Sequence, residues 1–461
     1  MKHITLKAIG LVVVLLSIPS MLRAESFNYS QALFGTPSTL SVSLQNVDLA
    51  TGQITANGAD TQCPTTPFTW AWGDGTTTTG FFPQQHTYAD PTQNYIITLT
   101  AHYADGGTDT SQCQARFSAP LVTPVAHPAN IQVTIPDSAV SLSSRMPGYT
   151  PPASLTYYDD SHFGVVPSSA IEHVLTNAAS VQNGFVNGNV AEVGGGFQQY
   201  VLRDSAMSGG MYSLWYTDPV SFGAGNSAMQ GSIPYSSFFH EMGHNFTLNS
   251  PAEYYYGGKI DGSANAIYSE TMAQIFQHAT AWELINNADA YGLSDDLVFD
   301  IETSALASIQ VVRNAYDDYV AEGMNFCSWN DPATSPDETF DTFMTLAYKF
   351  LEQAELSGLG YAEPLGRMTE LLQLFDEDMM NSYDRLHDNL DADTFRSTLM
   401  VSAVSYGFQK DLRSDFAALN FPIDDAAYNE LVTAAIPEPV TIGMLATGAL
   451  GMFGVILRRR K

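Results

Sequence analysis

FFHEMGHNFTLNSPAEYYYGGKIDGSANAIYSETMAQIF, residues 238–276, holds two histidines four apart, a glutamate between them and a later glutamate on a second helical pattern. On a helix, residues four apart lie one above the other on one face, so His240 and His244 can present two imidazoles to a single cation. Glu241, one position on, points beside that cation rather than at it. After Thr247 the stretch turns to Asn, Ser, Pro and Gly, which interrupt a helix. A helical period then resumes, with Ile267, Glu270, Gln274 and Gln277 on one face and Met272, Ile275, Phe276 and Ala279 on another.

Two such histidines with a flanking carboxylate suit a catalytic zinc, which keeps three protein ligands and one open position for water. The metal lowers the pKa of that water and polarises a carbonyl, and Glu241 is placed to take the proton as general base. The third ligand must come from further along. The metzincin pattern would need glycine and histidine where Thr247 and Ser250 stand, which excludes it. Glu253 and Glu270 remain. Glu253 sits among Pro251, Tyr254-Tyr255-Tyr256 and Gly257-Gly258, in a loop-like stretch, whereas a ligand on a packed helix is held more rigidly, which selects Glu270 and keeps Glu253 as the alternative. Gln274, one turn beyond, is either a hydrogen-bond partner that orients a histidine or plain helix surface. An oxyanion donor is also needed, and Tyr254, Tyr255, Tyr256, Tyr268 and His278 are all close in sequence.

His240-Glu241-Met242-Gly243-His244, with Glu270 after a 25-residue gap, resembles the enhancin-like, mucin-degrading metallopeptidases, whose pattern is H-E-x-G-H followed by a glutamate. Asn245 and the run Glu270-Thr271-Met272-Ala273-Gln274-Ile275-Phe276 are also similar. The resemblance is local, over roughly residues 230–280. It implies a zinc endopeptidase of glycosylated proteins, with His240, His244 and Glu270 as ligands and Glu241 as base. Gln274 departs from the asparagine expected there.

Outward from this stretch, helical periods continue toward the C-terminus. Ser335-Pro336-Asp337-Glu338 predicts a helix start, with serine as cap and proline in the first turn. Phe340, Phe343, Ala347, Phe350 and Ala354 then recur at 3, 4, 3, 4 spacing, and Leu365, Met368, Leu372, Phe375 and Met379 do likewise, as core-facing stripes. Toward the N-terminus, residues 155–232 mix short strand-like runs with glycines. Gly194-Gly195-Gly196 lacks a following Gly-Lys-Ser/Thr and reads as a turn. Residues 119–155 are rich in proline and read as a linker.

From Thr39 to Phe117 the alternation is strand-like and broken by Gly, Asp, Thr and Asn turns, which predicts a small β-sandwich. Trp72-Gly73-Asp74-Gly75, followed by His86-Thr87-Tyr88 and the strand from Tyr95, resembles the PKD (polycystic kidney disease) domain. The resemblance implies a spacer or a glycan- or protein-binding accessory.

Both ends read as addresses. Lys2 and Lys7, an apolar run from Ala8 to Leu16, Pro19 and Ala24 before Glu25 form a secretory signal, residues 1–24. Val440 to Leu457 is about long enough to cross a bilayer, with Arg458, Arg459, Arg460 and Lys461 on the cytoplasmic side. With Pro437-Glu438-Pro439 before it, the tail 436–461 resembles a PEP-CTERM sorting signal. That implies processing by an exosortase in a Gram-negative bacterium with an extracellular polysaccharide matrix; a plain membrane anchor is the alternative. The whole chain carries 48 acidic and 18 basic side chains, net −30, and seven of the basic ones lie in these two ends. A nucleic-acid or anionic-membrane partner is excluded for want of a basic footprint. Cys63 and Cys113 could pair in an oxidising compartment, leaving Cys327 over.

The expectation is a multidomain chain with an N-terminal antiparallel β-sandwich (35–118), a linker (119–155) and an α+β zincin-type catalytic domain with a mainly helical C-terminal part (156–432), then a transmembrane helix. Its expected function is that of a secreted, surface-sorted zinc metalloendopeptidase acting on proteins or glycoproteins. A non-catalytic matrix or adhesion protein is the alternative.

Overall fold

The computed structural model describes residues 26–62, 64, 66–142, 150–188, 196–214, 220–224, 233–247, 266–328, 336–374 and 389–435. The expected leader, the tail 436–461, Cys63, Gly194-Gly195, Glu253, Tyr254, Tyr255, Tyr256, Phe375 and Met379 lie outside them. Among the described residues no helix is long and apolar enough to cross a membrane.

A short helix, α1 (Ser30–Phe34), precedes β1 (Leu40–Asp48), β2 (Gln53–Asp60), β3 (Phe68–Ala71), β4 (Thr77–Gly80), β5 (Gln84–Thr87), β6 (Tyr95–His102) and β7 (Thr108–Ala115). These strands form two antiparallel sheets, ordered β1-β2-β5 and β4-β3-β6-β7. Alternation decides the faces. Along β6, Ile97, Leu99 and Ala101 are buried while Thr98 and Thr100 are only partly so. Trp70 and Trp72 fill the core between the sheets, each with its indole N–H satisfied, by Gly80 O and Thr78 Oγ1. The turn after Trp72 needs glycine, since Gly73 has φ +85° and a Cβ there would meet Ile96 O at 2.6 Å. Cys113 is a free thiol opposite Ile97 on the core side of β7, and burial pushes it up to about 12. Cys63, the partner the sequence offers it, lies outside the described residues.

The second unit begins inside the stretch expected as a linker. There β8 (Ile131–Thr134) runs parallel to a later strand, with Ile131 and Val133 buried, and β9 (Leu155–Thr156) follows. Then come α2 (Ser168–Phe185), β10 (Phe197–Asp204), β11 (Met211–Leu214), β12 (Val220–Ala224), α3 (Tyr235–Thr247), α4 (Ala266–Asn286), α5 (Asp295–Ala321), α6 (Pro336–Ser357), α7 (Ala362–Gln373), α8 (Leu390–Phe408), α9 (Arg413–Ala417) and α10 (Asp425–Ala435). The mixed sheet is ordered β11-β12-β10-β8, with β11 antiparallel at one edge. The rest is helical and shares one core with the sheet.

That core also takes in residues before the first strand. Tyr29 and Leu33 are buried in it. The Tyr29 hydroxyl donates to His278 O, and Arg313 donates to Ala32 O at 3.1 Å and to Gly35 O. The two units meet through a buried polar cluster. Arg116 Nη2 lies 2.6 Å from Asp300 Oδ2, both side chains under 10% exposed, while Asn94 (2.9 Å) and Gln114 donate to Asp296. Burial pushes Asp300 up to about 6 despite Arg116 beside it.

A pH dependence follows. A carboxyl raised above its unfolded value of about 3.8 binds more protons when folded, so stability falls as pH rises from about 4 to about 6. Urea denaturation of the wild type and Asp300→Asn across that window should show the wild type alone losing on the order of 2 kcal/mol from this group. Equal slopes in the two chains would refute the assignment.

Candidate metal centre

Helix α3 is anchored by Phe238, Phe239, Met242 and Phe246, all fully buried. Burial of each contributes about 1.5–3 kcal/mol toward holding the opposite histidine face in place. Helix α4 runs antiparallel against it, and the pair is pinned at both ends. At one end Gln182 of α2 donates to Phe239 O (2.9 Å) and to Thr280 Oγ1 (3.2 Å). At the other, the Tyr268 hydroxyl donates to Thr247 O at 2.9 Å, which brings the start of α4, and with it Glu270, to the end of α3.

Between the pins the helices nearly touch. A Cβ on Gly243 would lie 3.1 Å from both Ala273 Cα and Phe276 Cβ. Alanine normally favours a helix by about 1 kcal/mol over glycine, but these neighbours are backbone and a first side-chain atom, which yield little. Gly243→Ala should therefore lower the thermal midpoint, with Gly243→Val worse, each also spreading the three candidate donors, which lie on both helices. A higher midpoint for Gly243→Ala would contradict this packing.

His240 and His244 turn Nε2 toward Glu270, whose Oε2 lies 3.2 Å from the first and 3.6 Å from the second. The three donors all lie within 4.8 Å of one another. A tetrahedral ion with bonds of about 2.1 Å needs donors roughly 3.4 Å apart, and the two measured separations straddle that value. The donor set, two imidazoles and a carboxylate with the side chains 14, 11 and 28% exposed, fits a divalent metal reached from solvent on one side. Burial opposes ionisation of Glu270, yet the rings of His244 and His240 outweigh it and hold the carboxyl well below its usual range. Burial likewise opposes charging of His244, and Glu270 outweighs it in turn, raising the imidazole. Glu241 is half-buried at the next position of α3. Glu253, the alternative ligand, lies outside the described residues.

The surroundings differ from the sequence reading in three respects. Helix α4 has no surface face at its middle: every residue from Thr271 to Ala281 is buried, as expected of a central helix. Gln274 is thus not helix surface, and among the described residues neither its Oε1 nor Nδ1 of His240 and His244 has a hydrogen-bond partner. Tyr268 spends its hydroxyl on Thr247, and His278 is fully buried and pushed down to about 3 by burial, with His240 adding to the shift. Neither therefore reaches a substrate as an oxyanion donor; Tyr254, Tyr255 and Tyr256 lie outside the described residues. A contact not expected from the sequence ties the sheet to the site: Ser213 of the edge strand β11 donates to Asn245 Oδ1 at 2.7 Å, next to His244.

No family model matches the chain, and the comparison with curated proteins found no match. Among solved structures it is similar to one described as the crystal structure of a functionally unknown conserved protein mutant from Bacillus anthracis str. Ames. The identity is 8%, the TM-score 0.34, and the match covers 86% of this chain and 70% of that chain. At that score the likeness carries no argument about function.

Proposed function

We propose that the chain is a zinc-dependent endopeptidase acting on proteins or glycoproteins. The observation that carries this reading is the pair of Nε2–Oε2 separations, 3.2 and 3.6 Å, which suit a tetrahedral zinc held by His240, His244 and Glu270. A bound zinc would supply Lewis acidity to a peptide carbonyl and to water. Glu241 would take the proton of the attacking water and pass it to the leaving amine. Edge strand β11, fastened to α3 through Ser213 and Asn245, would align an extended peptide by backbone pairing. The fold reading that accompanies this is zincin-type for the second unit and PKD-like for the first.

In this reading the chain is exported and sorted to the cell surface, on the strength of the residues at its two ends. The test is metal analysis of the purified chain together with cleavage of casein and a glycoprotein panel with and without a chelator. The reading requires about one zinc per chain and chelator-sensitive cleavage. A chain without metal or cleavage would instead be a matrix or adhesion protein.

A further inference from the structure

Helix α5 carries Asp296, Asp300, Ser304 and Ser308 at successive four-residue steps, one ridge roughly 18 Å long. Each member holds a different part of the molecule. Asp296 accepts from Asn94 and Gln114, and Asp300 pairs with Arg116, all three partners belonging to the two-sheet unit. Ser304 Oγ accepts the backbone N–H of Ser236 at 3.0 Å, and Ser308 accepts from Gln277. The ridge thus runs from the N-terminal unit to α3 and then to α4, the two helices that bear His240, His244 and Glu270.

We propose that Arg116, contributed by the two-sheet unit, is a positioning residue for the metal centre, acting through Asp300 and Ser304 on the first turn of α3. The first amides of a helix lack intrahelical acceptors, and Pro234, immediately before α3, has no side-chain acceptor to offer. Ser304 fills that role from a neighbouring helix. Tyr235, the first residue of α3, is fully buried within electrostatic reach of both Asp300 and Arg116, and among the described residues its hydroxyl has no hydrogen-bond partner. With Arg116 in place the carboxylate of Asp300 is matched. Without it the buried carboxyl must take up a proton or draw water in beside Tyr235, its pairing with the two-sheet unit is lost, and Ser304, one turn along, shifts with the helix. The N-terminal unit is in this view part of the scaffold of the centre and not a detachable spacer.

The inference rests on reading α3 as a ligand helix, so its test is made on the full chain without metal: hydrogen exchange of residues 235–247 compared with residues 425–435. Arg116→Met and Ser304→Ala should each speed exchange in 235–247 by about tenfold and leave 425–435 unchanged. In the double variant the two factors should fail to multiply, because both cut the same connection. If Arg116→Met does not fold, Arg116→Lys, which keeps the charge and loses the planar fork, enters the same cycle. Multiplying factors, an equal rise in 425–435, or no change in 235–247 would overturn the proposal. A wild-type chain that binds no zinc would defeat the peptidase reading and with it the metal-centre role, whereas the coupling of Arg116 to α3 is decided by the exchange rates alone.

Discussion

Glu241→Gln should leave zinc content unchanged and reduce peptide hydrolysis by about 10²–10⁴-fold, the range a positioned general base contributes. The change is nearly isosteric and replaces the proton-accepting carboxylate, charge included, by a neutral amide. Glu241 lies beside the donors and not among the three that converge, so the amide disturbs neither Nε2 nor Glu270. Measured side by side, zinc per chain and the rate of casein cleavage separate two outcomes. Lost zinc would make Glu241 a ligand, and retained cleavage would remove it from the chemistry.

Glu270→Ala is expected to act on the metal itself. It deletes the only carboxylate among the three donors and the larger of the two charges that raise His244. Loss of an outer-shell partner commonly costs 10–100-fold in metal affinity, so loss of a direct ligand should cost more than ~100-fold. Zinc retained after dialysis against a competing chelator measures it. Unchanged affinity would pass the role of third ligand to Glu253.

The part of this centre legible in the sequence was the local part. Two histidines four apart and a glutamate between them need only a helix to acquire their geometry. The start of α6 at Pro336 was likewise written in its proline, while Ser335, the expected cap, lies outside the described residues. Glu270 could be preferred only by a rigidity argument, because its approach depends on Gly243 letting α4 in and on Tyr268 tying the helix ends. Gln274 could not be placed, since a glutamine on a central helix and one on a surface helix look alike until the neighbours are known. Strand β8 was hidden for a different reason. Four residues in a parallel pairing, only Ile131 and Val133 of them buried, show too short a pattern to stand out from the prolines around them. Nothing in the sequence marks Asp296, Asp300, Ser304 and Ser308 as a set, since their partners come from distant stretches that only the tertiary fold brings to them.

The path of the backbone before the first strand has its own consequence. Phe27, Tyr29 and Leu33 pack with the helices, and the chain then leaves, builds both antiparallel sheets and comes back at β8. The β-rich unit is thus an excursion flanked on both sides by chain belonging to the helical body. A recombinant fragment starting after the sheets would open a hole against Tyr361 and His278 where the Tyr29 ring sat. To be whole, such a fragment would need residues 26–35 returned to it, spliced on or added as a free peptide.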